Sequence, residues 1–225
     1  MPVYRLDDSL RFPPASHAEP DGLLAVGGDL RPERLILAYA SGIFPWYSEE
    51  DPILWYSPDP RMVIRPKRLH VPRRLERRIR GGGLVISFDQ AFEEVISACA
   101  IVPRRGEDGT WITDAMIEAY VELHRRGIAH SLEVRRGGAL VGGIYGLSLG
   151  GFFAGESMFR KEADASKIAL VSLVRRLADW DFDFLDCQLP AAHLGRLGAE
   201  EVPRDLYLAR LERTLLRKTR KGPWS

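Results

Sequence analysis

The chain has 225 residues, enough for one large domain or two unequal ones with ample core, and its 45% hydrophobic and 28% charged residues exclude a disordered or low-complexity chain. No apolar run reaches membrane-spanning length, and the polar, acidic start Met1-Pro2-Val3-Tyr4-Arg5-Leu6-Asp7-Asp8 is unlike a signal peptide. Cys99 and Cys187 fit no zinc spacing, so the expectation is a cytoplasmic protein with no membrane partner and no metal site. The net charge of +1 hides segregation. Residues 1–60 hold ten acids against four bases, and residues 61–80 hold nine bases against Glu76. The C-terminal stretch is basic again through Arg210, Arg213, Arg217, Lys218, Arg220 and Lys221.

In chain order, the first sixty residues are rich in proline and glycine around one helix. Pro32 suits its first turn, Leu35 to Tyr39 supply an apolar stripe, and Gly42 suits a left-handed stop. Gly27-Gly28 lacks the spacing and lysine of a phosphate loop and reads as a tight turn. Residues 1–61 therefore look like a small, loop-rich N-terminal domain leaning on a larger one over 62–225. A short strand, Met62-Val63-Ile64, leads into the basic segment 65–80 near the junction. If Pro72 opens a helix there, Arg73, Arg74, Arg77 and Arg78 cluster on one flank with Leu75 and Ile79 inward. Such a flank is either a solvated face or a seat for phosphates.

After Gly81-Gly82-Gly83, Leu84 to Phe88 reads as a strand, and Phe92, Val95, Ile96 and Cys99 mark a helix. Thr113 caps a second helix carrying Met116, Ile117, Tyr120 and Leu123, stopped by Gly127. A hairpin turns at Arg136-Gly137-Gly138, and the glycines at 142, 143 and 146 predict close approach of a ligand or another backbone. Phe152 to Phe159 and the segment ending at Gln188 read as strands flanking a helix over Ser166 to Trp180, a crossover that makes the two strands parallel or close neighbours.

Alternation along these strands puts Asp186 and Gln188 on one face with Phe182 and Phe184, and Cys187 on the other. Glu156 shares a face with Phe152 and Ala154. Singly, such polar groups cap strands or pair with arginines; three together at strand ends, beside small and aromatic residues, indicate a site. The element order from residue 84 is similar to that of the N-acetyltransferase (GNAT) fold, an α+β class. A coenzyme A enzyme of that fold needs a glycine-rich turn to cradle pyrophosphate. The corresponding turn, Phe159 to Lys167, has no glycine and carries Glu162 and Asp164, which disfavours an acetyl-CoA-dependent N-acetyltransferase, the alternative reading.

Several stretches resemble leucyl/phenylalanyl-tRNA–protein transferases: residues 22–30, Gly42-Ile43-Phe44-Pro45-Trp46, Pro52-Ile53-Leu54-Trp55 and Ser57-Pro58-Asp59-Pro60-Arg61. They continue with Thr110-Trp111-Ile112-Thr113, Gly155-Glu156-Ser157-Met158-Phe159, Ala165-Ser166-Lys167, Asp186-Cys187-Gln188, His193-Leu194 and Leu197-Gly198-Ala199. The resemblance implies transfer of leucine or phenylalanine from leucyl-tRNA or phenylalanyl-tRNA to proteins beginning with arginine or lysine, a tag for bacterial N-end rule degradation. The donor is an activated ester, so no cofactor is needed. By resemblance, Asp186 and Gln188 form the relay that positions and deprotonates the attacking amine, Asp186 being the better base because an amide is non-basic. Glu156 assists directly or receives the cationic first residue. The resemblance also places Trp46 and Trp111 near the terminal adenosine, and makes Ile144, Gly155, Leu170, Leu173, Leu177 and Leu185 the aminoacyl side-chain pocket. Singly, each tryptophan and most of the leucines fit an ordinary core equally well. Arg65, Lys67, Arg68, Arg73, Arg74, Arg77, Arg78 and Arg80 would then seat the tRNA backbone.

Overall fold

A computed structural model describes residues 3–101 and 111–224; Met1, Pro2, residues 102–110 (with Thr110 of the motif above) and Ser225 lie outside the described residues. The first segment forms β1 (Tyr4–Leu6), β2 (Leu23–Gly27), α1 (Pro32–Ala40), β3 (Phe44–Pro45) and β4 (Leu54–Tyr56), with sheet order β1-β2-β4-β3. The expected punctuation is present: Pro32 opens α1, and Gly42 follows its end at φ +75°. Leu35, Ala38 and Tyr39 are buried on the inner face of α1.

The chain then forms β5 (Arg61–Ile64), α2 (Arg73–Arg80), β6 (Val85–Phe88), α3 (Phe92–Ile101), α4 (Asp114–Arg125), β7 (Ala129–Arg136), β8 (Ala139–Leu149), β9 (Phe152–Arg160), α5 (Ala165–Asp179), β10 (Phe184–Gln188), α6 (Ala192–Gly195), β11 (Glu200–Val202) and α7 (Arg204–Leu215). The class is α+β. The Thr113 hydroxyl accepts the Met116 N–H, as a cap should. Seven strands make one sheet in the order β11-β5-β10-β9-β8-β7-β6. Every pairing is antiparallel except β9 with β10, which α5 connects.

The two faces of this sheet bury different clusters. On one, Ile168, Leu170, Leu173 and Leu177 of α5 pack against Leu132, Ile144, Phe153 and Leu185. On the other, Val95 of α3, Met116 and Tyr120 of α4 and Tyr207 of α7 meet Tyr145 and Phe152. Leu35, Tyr39, Phe44 and Trp55 of the first segment belong to this second cluster, so apolar packing runs without a break from the small sheet into the large one. The close approaches predicted for the β8 glycines are made by the chain itself. A Cβ on Gly142 would lie 2.6 Å from that of Ala165, and one on Gly146 would lie 2.0 Å from the Ala154 carbonyl. Helix α7 was not expected from the sequence.

The register of the parallel pair sets the site. Phe184 pairs with Phe152, Leu185 with Phe153 and Asp186 with Ala154, and the ladder stops there. Two residues further along each strand lie Gln188 and Glu156, at the edge where β9 and β10 part.

Candidate active site

A two-lobed cleft opens at this edge. The smaller lobe, about 220 Å³, is lined by Phe44, Pro45, Trp46, Trp111, Glu156, Cys187, Gln188 and Leu189. The larger, about 410 Å³, includes Ile144, Gly155, Met158, Leu170, Leu185, His193 and Leu194. Trp111, Glu156, Cys187, Gln188 and Leu189 belong to both. One lobe is thus flanked by the two tryptophans and the other is mainly aliphatic, with a carboxyl and an amide between them.

Glu156 is held from two sides. The Tyr120 hydroxyl donates to its Oε2 at 3.0 Å, and Gln188 Nε2 donates to its Oε1 at 3.3 Å. The Tyr39 and Tyr120 hydroxyls are themselves hydrogen-bonded. Burial disfavours the charged carboxylate and lifts Glu156 to about 7. The Tyr39 and Tyr120 hydroxyls and the Arg61 charge oppose that rise, while the charge of Asp186 adds to it. Burial also pushes both tyrosines and the Cys187 thiol up, so all three remain protonated near neutral pH.

Asp186 stands differently from expectation. It is fully buried and lines neither lobe. Arg61 grips it through Nε at 2.9 Å and Nη2 at 2.8 Å, and the Tyr207 hydroxyl donates to Oδ2 at 2.8 Å. The Gln188 backbone N–H donates to Oδ1 at 2.9 Å. The Arg61 guanidinium also lies over the rings of Phe44 and Tyr207 and donates to the Gly42 carbonyl. These donors occupy both carboxylate oxygens of Asp186, which has no surface open to either lobe. The predicted alternation fails here for a local reason. The β10–β5 register shifts between Asp186 and Gln188, and Gln188 adopts φ +56°, which turns both Cys187 and Gln188 towards the cleft.

The other expected site residues divide. Trp46 is 40% exposed and meets Tyr56 edge-on at 5.5 Å, and Trp111 is half-buried between the lobes. Ile144, Gly155, Leu170 and Leu185 line the larger lobe; Leu173 and Leu177 lie behind it in the core under α5 and line neither lobe. Within the basic segment, Arg65 pairs with Glu200, Lys67 with Asp181, Arg78 with Asp164 and Arg80 with Glu76. Arg73, Arg74 and Arg77 point to solvent from α2, and Arg68 is exposed just before it. Arg61, counted with the basic run, is a buried counter-ion instead. Sequence reasoning missed Met158, although it shares the strand face of Glu156 at a two-residue spacing. It also missed Tyr39, Tyr120 and Tyr207, which carried only the signal of core aromatics.

The turn entering α5 does not resemble an anion cradle. Asp164, at φ +63°, stands at the helix N-terminus and pairs with Lys167 and Arg78, where a pyrophosphate would meet its negative charge. Among the described residues, no group of three or more His, Cys, Asp or Glu side chains is placed to hold a metal, and no helix is long and apolar enough to cross a membrane.

Two family models match the chain. One, described as leucyl/phenylalanyl-tRNA protein transferase, covers residues 63–212, and one for the N-terminal domain of the same family covers residues 28–59. Curated relatives named leucyl/phenylalanyl-tRNA–protein transferase align with all of it. That of Anaeromyxobacter sp. (strain Fw109-5) is 58% identical over 224 residues, spanning 100% of this chain and 95% of its own. That of Myxococcus xanthus (strain DK1622) is 52% identical over 227 residues, spanning 100% and 97%. Likeness to solved structures is looser. A GCN5-related N-acetyltransferase from Kribbella flavida is 10% identical with a TM-score of 0.40, over 75% of this chain and 60% of its own. L-PGS from Bacillus licheniformis is 11% identical with a TM-score of 0.43, over 76% and 54%. Scores this low carry no argument about function.

Proposed function

Because the chain belongs to the leucyl/phenylalanyl-tRNA–protein transferase family, an aminoacyltransferase family acting from tRNA onto protein, we propose that it moves leucine or phenylalanine from aminoacyl-tRNA to the α-amino group of proteins beginning with arginine or lysine. The observation that carries this reading is the position of Glu156 and Gln188 between a tryptophan-flanked lobe and an aliphatic one. The terminal adenosine stacks in the first, through Trp46 and Trp111. The leucyl or phenylalanyl side chain fills the second, against Ile144, Met158, Leu170 and Leu185. The ester carbonyl then lies beside Glu156 and Gln188.

The nucleophile is an α-amine whose ordinary pKa is about 7.7–8.0, close to the value of about 7 at Glu156. A proton can therefore pass from the amine to this carboxylate with little thermodynamic penalty, the regime in which general base catalysis works best. Glu156 receives the amine proton and Gln188 orients the attacking and leaving groups. The amine–carbonyl bond forms as the ester bond breaks, and the proton leaves with the ribose hydroxyl. Asp186, pinned by Arg61 and Tyr207, fixes the backbone of Gln188 and is a positioning residue rather than the base. Glu156, the acid that lines the cleft, also suits an acceptor with a cationic first side chain.

The test is a peptide panel differing only in the first residue, incubated with leucyl-tRNA in the absence of ATP and read by mass spectrometry. The reading expects a leucine added to Arg- and Lys-initiated peptides and none to Glu- or Met-initiated ones. Equal modification of all four would remove the acceptor specificity, and modification of none would remove the reading.

A further inference from the structure

We infer that the recess between α7 and the start of β10, together with the basic C-terminal stretch beside it, is a second binding surface for the phosphate backbone of the tRNA donor, at the end of β10 opposite the cleft. This rests on the tRNA-donor reading and extends it to a surface separate from α2. The recess, about 510 Å³, is lined by Arg65, Arg210, Arg213 and Arg217, with Asp183, Phe184 and Thr214 completing it. Residues 204–221 hold seven bases against two acids, Asp205 and Glu212.

The arrangement of carboxylates separates this surface from an ordinary mixed face. Glu200 is shared by Arg65 (2.5 Å) and Arg210 (3.1 Å), and Asp181 by Lys67 (2.5 Å) and Arg217 (3.9 Å). Glu200 thus balances one of its two arginines and leaves one positive charge fixed there, whereas Arg217 also meets Asp183 at 3.1 Å, so that the Lys67–Arg217 end is neutralised. Glu200 and Asp181 stitch the start of the basic segment, Arg65 and Lys67, to α7 and the residues after it, making one continuous track. Arg213 is exposed, donates to its own helix carbonyl, Ala209, at 3.3 Å, and meets no carboxylate among the described residues. Lys218 and Lys221 are exposed without a carboxylate partner among the described residues, and the Arg220 guanidinium lies over the Trp180 ring, 4.2 Å from its centroid.

Fixed, partly unneutralised guanidiniums at a helix-lined recess suit phosphate oxygens, which accept their forked N–H donors. The recess lies beside Phe184, four residues before Gln188 and so about 13 Å along the strand from the reacting groups. A donor whose single-stranded 3′ end occupies the cleft brings its duplex within that reach. A duplex is bound through phosphates, and many spaced charges suit it better than one deep pocket.

The test compares wild-type protein with Arg213→Ala/Lys218→Ala, two exposed positions outside the cleft. Affinity for uncharged tRNA is measured from about 50 to 200 mM salt, and transfer is measured from phenylalanyl-tRNA and from phenylalanyl-adenosine, a donor with no stem. The inference expects tRNA affinity to drop on the order of tenfold at low salt and the log–log salt slope to flatten by about 1–2. Transfer from phenylalanyl-adenosine stays at the wild-type rate, and Arg213→Lys/Lys218→Arg restores tRNA binding. Unchanged affinity and slope in the alanine variant would overturn it, as would equal losses with both donors or weaker binding of polyglutamate with tRNA binding intact. Binding is read directly, so the surface is judged even if no transfer occurs, which would count against the function proposed above instead.

Discussion

Arg61 Nη2 and Asp186 Oδ2 lie 2.8 Å apart with both side chains shut off from solvent, joining β5 to β10 two residues from Gln188. Removing one member of such a pair strands a charge in the interior. Arg61→Ala or Asp186→Ala should each cost about 3–5 kcal/mol of stability, and the double variant less than the sum of the two. Urea denaturation of the three proteins measures this. Because Asp186 Oδ1 also holds the Gln188 N–H, the folded fraction of Asp186→Ala should still turn over slowly, with kcat falling far more than donor affinity.

Glu156 gives a pH signature of known sign. Its folded pKa, about 7, lies above the ordinary 4.5, so the protonated form is the one the fold favours. Its contribution is fully present below about pH 4.5 and is lost as pH rises through about 7, a difference of at most about 3 kcal/mol at 1.36 kcal/mol per unit. Glu156→Gln should remove that slope and be more stable than wild type at pH 8. Melting temperatures of both proteins at pH 5 and pH 8 check it; a parallel pH dependence would show that Glu156 titrates normally. Tyr39, Tyr120, Arg61, Asp186 and the Cys187 thiol are the ionisable groups around it, and Tyr120→Phe, which removes a hydrogen bond favouring the carboxylate, should move the wild-type rate profile to higher pH.

Substrate choice should separate residues that line the cleft from those behind it. A Cβ on Gly155 would meet the Asp186 carbonyl and Leu185 at 3.6 Å, ordinary contacts, so Gly155→Ala should fold while narrowing the larger lobe. Phenylalanine transfer should then drop against leucine transfer by roughly tenfold or more in kcat/KM. Leu173→Ala should instead destabilise the protein by about 2–5 kcal/mol with little change in that ratio, because Leu173 is core.

Trp46 offers the cleanest test of the aromatic lobe. It is 40% exposed, so Trp46→Ala should leave the melting temperature near wild type. Loss of one stacking partner is worth about 1–3 kcal/mol, so KM for the aminoacyl-tRNA should rise roughly fivefold to 150-fold. Unchanged KM would place the adenosine elsewhere.

The sequence made the regular parts of this molecule readable where local chemistry decides them. Thr113 capping α4, Gly137-Gly138 in the β7–β8 hairpin and the apolar period of α5 are short-range signals, and each is met. Glu156 and Gln188 could be grouped at strand ends because the crossover makes their strands parallel or close neighbours, although the register itself comes from the structure. What remained hidden depends on partners far along the chain. Arg61 looked like the first of many surface arginines, and nothing local marks it as the counter-ion of a residue 125 positions away. The bulge at Gln188 defeated simple alternation, and α7, with few buried apolar residues among many charges, lacked a periodic signal strong enough to announce Tyr207.

The central claim, that Glu156 accepts the amine proton during transfer from tRNA, is tested most directly by single-turnover transfer of radiolabelled leucine from leucyl-tRNA to an Arg-initiated peptide at pH 7.5 without ATP. Wild type should transfer, and Glu156→Gln should be slower by about 10²–10⁴-fold with donor affinity preserved. A Glu156→Gln rate equal to wild type would contradict the account.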